Sequence, residues 1–197
     1  MTPTDQTHAT SATGATGADA TTTGTSGITI PHDDYERPGG VRTVSYSTTV
    51  ATHTAIHTDM NGISRLTGGR LMEWIDEVAG IAARRHCSDI ITTASVEPLV
   101  FLRPAFLNDI VTIVGTVTHV GRTSLEVRVD SFVEDNLTGE RTLINRAYLT
   151  EVCLDENSRP KPIRYGLALE TDEQRAEWEA ARLRVEQRRE RRAGERA

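Results

Sequence analysis

The sequence predicts an α+β domain in which one antiparallel sheet wraps a long helix. Three observations predict it. Residues 68–86 carry apolar side chains at Leu71, Ile75, Val78, Ala79, Ala82 and Ala83, which is a helical period. Five segments are β-branched or alternate with period two, one before that helix and four after it. Turn residues at Asn108-Asp109, Gly121-Arg122 and Thr138-Gly139 join the last three segments as an antiparallel meander. A sheet with one apolar face and a helix with one apolar stripe complete each other's core.

Taken in order, residues 1–27 are Thr, Ala, Gly and Ser with scattered Asp, too little apolar surface to offset their ordering entropy. Residues 28–40 continue as a polar linker with Pro31 and Pro38, so 1–40 reads as a disordered tail and linker. Val41 to Thr58 is rich in Thr, Val and Tyr, with Val44, Tyr46, Thr48 and Val50 alternating as a strand. Asp59 to Ser64 reads as a turn or loop ahead of Gly68-Gly69 and the helix. Ile90 to Phe101 is the next strand, ended by the Arg103-Pro104 break. Ile110–Val120, Arg122–Val133 and Arg141–Leu154 follow, the second with Leu125, Val127 and Val129 alternating against Glu126, Arg128 and Asp130. The folded domain is thus 41–157. Residues 158–197 form a linker with Pro160 and Pro162 and then a charged helix over about 171–193, begun by Thr171. Its mixed Arg and Glu read as a solvated helix laid on the domain or a neighbour.

Composition narrows the function. Net charge is −6, of which −5 lies in residues 1–36, so neither nucleic acid nor an anionic membrane surface is an expected partner. Cys87 and Cys153 have no metal or redox spacing and read as small core residues in a reducing, cytoplasmic setting. Residues His53, His57, His86 and His119 have no ligand spacing, so no metal is expected. No stretch has the length of a membrane span, and the first residues do not pattern as a secretory signal. No βαβ alternation or GxGxxG supports a dinucleotide fold.

Within the central helix, Asp76 and Glu77 interrupt an apolar pattern. Asp76 follows Ile75 by about 100° and so lies at the edge of the apolar face, where a solvated acid is the plain reading. The Gly pair changes the weighting: Gly at a helix start suits close approach of a backbone or ligand, and free N–H groups there suit a polarised oxygen. Glu77 reads as structural or solvated.

Three blocks carry a resemblance: GGRLMEWIDEVAGIAARRHC, TTASVEPLVFLRP and VGRTSLEVRV. Together, and with the tail PKPIRYGLALETDEQRAEWEAARLR, they resemble the acyl-CoA thioesterases (acyl-CoA hydrolases) of the hot dog fold over about 41–190. The resemblance implies a helix wrapped by a five-stranded sheet, two protomers paired through one continuous sheet, and further assembly into a hexamer (a trimer of dimers). It implies composite sites, with Asp76 of one protomer and Asn61 of the other. Chain geometry agrees, since Asp76 lies about 12 Å along the helix axis from Gly68, far from its own Asn61 loop. Many relatives have Asn or His followed by Gly at the positions of Ile63 and Ser64, so the backbone donor is expected from Ser64 or a neighbour here.

Under this resemblance Asp76, its pKa lifted by burial against Ile75, Val78 and Ala79, serves as general base or as nucleophile. Asn61 positions water or the carbonyl, and N–H groups near Gly68 and Gly69 stabilise the oxyanion. Arg122, Thr123 and Ser124 are candidates to contact CoA, with Arg103 weaker and Ser95 a candidate wall of the acyl tunnel. No separate cofactor is expected, because coenzyme A is part of the substrate. Two other functions fit the same fold: an acyl-thioester hydratase or dehydratase, which would need a His beside the carboxylate where only His57 is at hand, and a non-catalytic acyl-CoA-binding module, which the Ile63-Ser64 departure leaves open.

Overall fold

In the computed structural model, which describes residues 22–23, 27–32 and 34–194, the chain begins with β1 (Thr22–Thr23), β2 (Thr29–Ile30), β3 (Val41–Thr43), α1 (Val44–Ser47) and β4 (Thr49–Thr54). A 3-10 turn (His57–Asp59) leads to α2 (Gly68–Cys87). Then come β5 (Ile90–Val96), β6 (Val100–Phe101), β7 (Ile110–Val120), β8 (Ser124–Glu134), β9 (Arg141–Leu154), β10 (Gly166–Ala168) and α3 (Asp172–Gly194). Most of the tail read at 1–27 lies outside the described residues.

The main sheet runs β4-β7-β8-β9-β5, antiparallel throughout, with β6 pairing β9 beyond a shift in β5 between Thr93 and Ser95. It curls around α2. Leu125, Val127 and Val129 of β8 share a face with Glu151, Leu149 and Ala147 of β9, and the apolar members of that face pack on Ile75, Val78, Ala79 and Ala82. Full burial of each larger aliphatic chain contributes roughly 1.5–3 kcal/mol. Gly115 on β7 is what lets the helix sit this close: a Cβ there would lie 2.8 Å from Val78 Cγ1.

The C-terminal end of α2 is closed by two devices. Ser88 takes the left-handed conformation (φ 55°). Arg42 donates to the carbonyls of Arg85 (2.7 Å) and His86 (2.6 Å), placing a cation at the negative end of the helix dipole.

Two expectations are corrected here. Val41 to Thr58 is not one strand: Thr43 accepts the Tyr46 N–H (3.2 Å) and caps a helical turn at Val44–Ser47. Ile90 to Phe101 is broken at Glu97-Pro98, since proline has no N–H for the ladder. The C-terminal helix, read as laid on the domain or a neighbour, is on the domain, where it covers the outer sheet face. Helix α3 lies on it, with Arg184 and Arg188 each 2.8 Å from a fully buried Glu126, and Glu177 2.9 Å from Arg128.

Residues 28–40, expected as a polar linker, also make defined contacts. Arg37 donates to the Ile163 carbonyl (2.8 Å), and the Gly39 N–H to that of Arg164 (2.9 Å). The 158–197 segment adds a short strand, β10, parallel to β3. Cys87 and Cys153 are both buried free thiols.

Candidate active site

Asp76 stands two turns into α2, at the edge of its buried stripe. Ile75, Val78 and Ala79 point into the core, and the Asp76 side chain emerges into a cleft of about 580 Å³ lined also by Glu77, Ile81, Arg84, Thr93 and Glu151. The Thr93 hydroxyl, on β5, donates to Asp76 Oδ1 across 2.6 Å, a short charge-assisted bond. Thr93 Oγ1 also lies 3.2 and 3.3 Å from the two carboxyl oxygens of Glu151 on β9.

Burial therefore falls on a different acid from the one the helix pattern suggested. Asp76 is exposed in the single chain, because position 76 sits at the rim of the apolar stripe. Glu151 has no exposed surface, and it was missed in the sequence. Desolvation, opposed by the Thr93 hydrogen bond and reinforced by the nearby Asp76 charge, pushes its pKa up to about 7. The signal that could have found it is an acid on the inward phase of a strand: Ala147, Leu149, Glu151 and Cys153 alternate on one face.

The loop before the helix forms a second cluster. Asn61 Oδ1 accepts the N–H groups of Ile63 (3.0 Å) and Arg65 (3.1 Å), so its carbonyl oxygen holds its own loop and its amide N–H₂ is left for other partners. Ser64 has φ 58°, a conformation that favours glycine, and its N–H donates to the Asn61 carbonyl (3.0 Å). Ser64 is thus already engaged as a donor. Thr67, at the N-cap of α2, makes no side-chain cap and instead donates to the Asp59 carbonyl (2.6 Å), leaving the first amides of the helix uncapped by it. A Cβ at Gly68 would lie 2.9 Å from the Phe101 ring, while Gly69 has open space. Asn61 and Asp76 share no hydrogen bond in the chain.

The remaining candidates are spread out. Arg122, Thr123 and Ser124 form the β7–β8 turn, whose Arg122 and Thr123 carbonyls accept the Ile163 and Cys153 N–H groups while the Arg122 side chain is exposed. Arg103 is exposed beside Pro104. Ser95 follows the β5 irregularity, its hydroxyl buried and, like that of its cross-strand neighbour Thr150, without a hydrogen-bond partner among the described residues.

The model of the thioesterase superfamily matches residues 65–140, which span the helix, the acid and the first meander strands. An uncharacterised acyl-CoA thioester hydrolase of Bacillus subtilis is 41% identical over 117 residues, 59% of this chain and 68% of that protein. The chain belongs to the thioesterase superfamily. Its fold is the hot dog fold. An acyl-CoA hydrolase from Staphylococcus aureus, solved with butyryl coenzyme A and coenzyme A, superposes with a TM-score of 0.75 at 32% identity, covering 79% of this chain and 94% of that one. The S. aureus enzyme has also been solved as Asp-to-Ala, Asn-to-Ala and Thr-to-Ala variants. An apo hexameric acyl-CoA thioesterase superposes with a TM-score of 0.74 at 36% identity, covering 78% of this chain and 98% of that one.

Proposed function

We propose that the protein is an acyl-CoA thioesterase, hydrolysing an acyl-CoA to the free acid and coenzyme A. One observation carries the reading. In the S. aureus enzyme the residues replaced are an Asn, an Asp fifteen positions later and a Thr seventeen beyond that, and Asn61, Asp76 and Thr93 keep both separations. Asp76 and Thr93 are hydrogen-bonded, so the second and third members of that set already touch.

Thr93 engages Oδ1 of Asp76, and Oδ2 is the atom offered to the substrate. It acts on a water as general base, or on the thioester carbonyl carbon directly as nucleophile. In the first case water adds to the carbonyl carbon as its proton passes to Asp76. The C–S bond then breaks, and the CoA thiolate takes the proton. The N–H groups of Gly68 and Gly69 of the partner subunit, at a helix start without a side-chain cap, face the developing oxyanion, a contribution commonly of about 3 kcal/mol per donor.

Asn61 of the partner subunit completes the site. Exposed Ile90, Val100 and Phe101 along the β5–β6 edge support pairing of two protomers through that side of the sheet, with a trimer of such dimers as the full assembly. Arg122, Thr123 and Ser124 contact the CoA arm, with Arg103 beside it, and Ser95 lines the acyl tunnel. No helix of the described residues is long and apolar enough to cross a membrane, and a cytoplasmic setting fits two reduced thiols.

The test is thiol release from acyl-CoAs of increasing chain length by the wild type and Asp76→Asn. Turnover that collapses in the variant, with folding and oligomer unchanged, supports the proposal. Coenzyme A binding without turnover on any chain length refutes it in favour of a binding module.

A further inference from the structure

Two glutamates of the sheet are fully buried, and they are treated differently. Glu126 is matched by Arg184, Arg188 and the Thr118 hydroxyl. Glu151 has no such match: among the described residues no Lys, Arg or His pairs with it. The groups around it can be named element by element. Helix α2 presents Asp76, Glu77 and Arg84 to the shared cleft, and β5 presents Thr92 and Thr93. On the sheet itself Leu125 lies opposite, on β8, and Leu149 and Cys153 flank it on β9. Arg84 lines the cleft without forming an ion pair to either acid.

Proton counting then orders the cluster. A threonine hydroxyl has one proton. The 2.6 Å approach to Asp76 Oδ1 uses it. The contact of 3.2 Å between Thr93 Oγ1 and Glu151 is a hydrogen bond only if the glutamic acid supplies the proton. A buried carboxyl with no cation beside it keeps that proton, because ionising it would leave an uncompensated charge in the core.

We propose that Glu151 is a positioning residue that, in its neutral form, donates to Thr93 Oγ1 and so fixes the Thr93 hydroxyl as donor to Asp76 Oδ1. The chain Glu151–Thr93–Asp76 then holds one Asp76 oxygen and leaves the other for the reacting group. When Glu151 ionises, two carboxylates compete for one hydroxyl proton and Asp76 loses its fixed donor. Burial and the nearby Asp76 charge raise that ionisation from the ordinary carboxyl range toward neutrality, and donation of its own proton to Thr93 holds the neutral form further. The inference rests on the assignment of Asp76 to the chemistry proposed above.

The experiment uses the full chain as wild type, Glu151→Gln and Glu151→Leu, with butyryl-CoA as probe and kcat and KM followed from pH 5.5 to 9. The wild-type kcat falls by about tenfold across the ionisation, on the scale of one lost positioning contact. Glu151→Gln, whose amide donates to Thr93 at every pH, stays within roughly threefold of the acidic plateau and loses the falling limb. Glu151→Leu is down by about tenfold at all pH with KM nearly unchanged. A Gln variant as impaired as Leu, or one that keeps the limb, overturns the proposal.

Infrared titration gives a readout independent of turnover. A protonated-carboxyl band that titrates near neutrality, is absent in Glu151→Gln and shifts in Thr93→Val supports the hydrogen-bond chain. A band unaffected by Thr93→Val refutes it. If no acyl-CoA is hydrolysed, the thioesterase reading fails while the infrared result still decides the role of Glu151.

Discussion

Thr93 Oγ1 and Asp76 Oδ1 lie 2.6 Å apart, a bond that ties the sheet to the middle of its central helix. It occurs where β5 shifts register between Thr93 and Ser95, an irregularity that re-aims side chains beside a site. Replacing Thr93 by Val keeps the shape and removes the donor. Thr93→Val should therefore lower kcat by roughly 10- to 100-fold, with a smaller change in KM, in steady-state thiol release. An unchanged kcat would remove Thr93 from the site.

Stability against pH should carry two opposed slopes. Glu151, raised from 4.5 to about 7, contributes stability that is present below pH 4.5 and lost as pH rises through 7, on the order of 3 kcal/mol. His86 is the reverse. Burial and the Arg42 charge lower it from 6.5 to about 4, so its contribution is present above pH 6.5 and lost as pH falls through 4, again on the order of 3 kcal/mol. Between pH 4.5 and 6.5 the two nearly cancel in the wild type. In Glu151→Gln, chemical denaturation should show stability rising with pH over that window. A flat profile in the variant would contradict the assignment.

The close approach at Gly115 is testable by adding one methyl group. Gly115→Ala puts a Cβ 2.8 Å from Val78 Cγ1, and α2 must move outward to relieve it. The expected cost is about 1–3 kcal/mol in equilibrium unfolding. Val78→Ala in the same chain should recover part of that loss, and failure to recover any would place the strain elsewhere.

The outer layer depends on charge as well as packing. Arg184→Ala with Arg188→Ala leaves buried Glu126 without a cation. The double variant should lose on the order of 3–5 kcal/mol and expose α3 to limited proteolysis. Adding Glu126→Gln should restore much of both. An unaltered melting temperature in the double variant would show that apolar packing, of Trp178 against the core and of the fully buried Ala181, holds α3 without the ion pairs.

What could be read in the sequence follows from which signals are local. The 3.6-residue period of Leu71, Ile75, Val78 and Ala82 and the two-residue period of β8 are decided within a few positions, so the helix, the meander and the place of Asp76 at the rim of the helix's apolar stripe were legible. The helical turn at Val44–Ser47 was not, because its cap is one threonine bond inside a segment whose Thr and Val content favours strand. Nor was the pairing of buried Glu126 with Arg184, since a mixed Arg/Glu helix has the same composition whether its charges meet water or one another. The Thr93–Glu151 pairing depends on the β5–β9 register and its bulge, which no single strand encodes. Asn61 was legible as a residue, while its use of its own oxygen to hold the loop appears only in three dimensions.

The central claim is a composite thioesterase site, with Asp76 from one protomer and Asn61 from its partner. The most direct measurement mixes Asn61→Ala and Asp76→Ala chains after co-refolding and follows acyl-CoA hydrolysis. Each variant alone should be nearly inactive. Random pairing of the two gives half hybrid dimers, each with one intact site, so activity should return to about 25% of wild type. No recovery with hybrid dimers demonstrably formed would contradict the account and place both residues in one protomer's site or outside the chemistry.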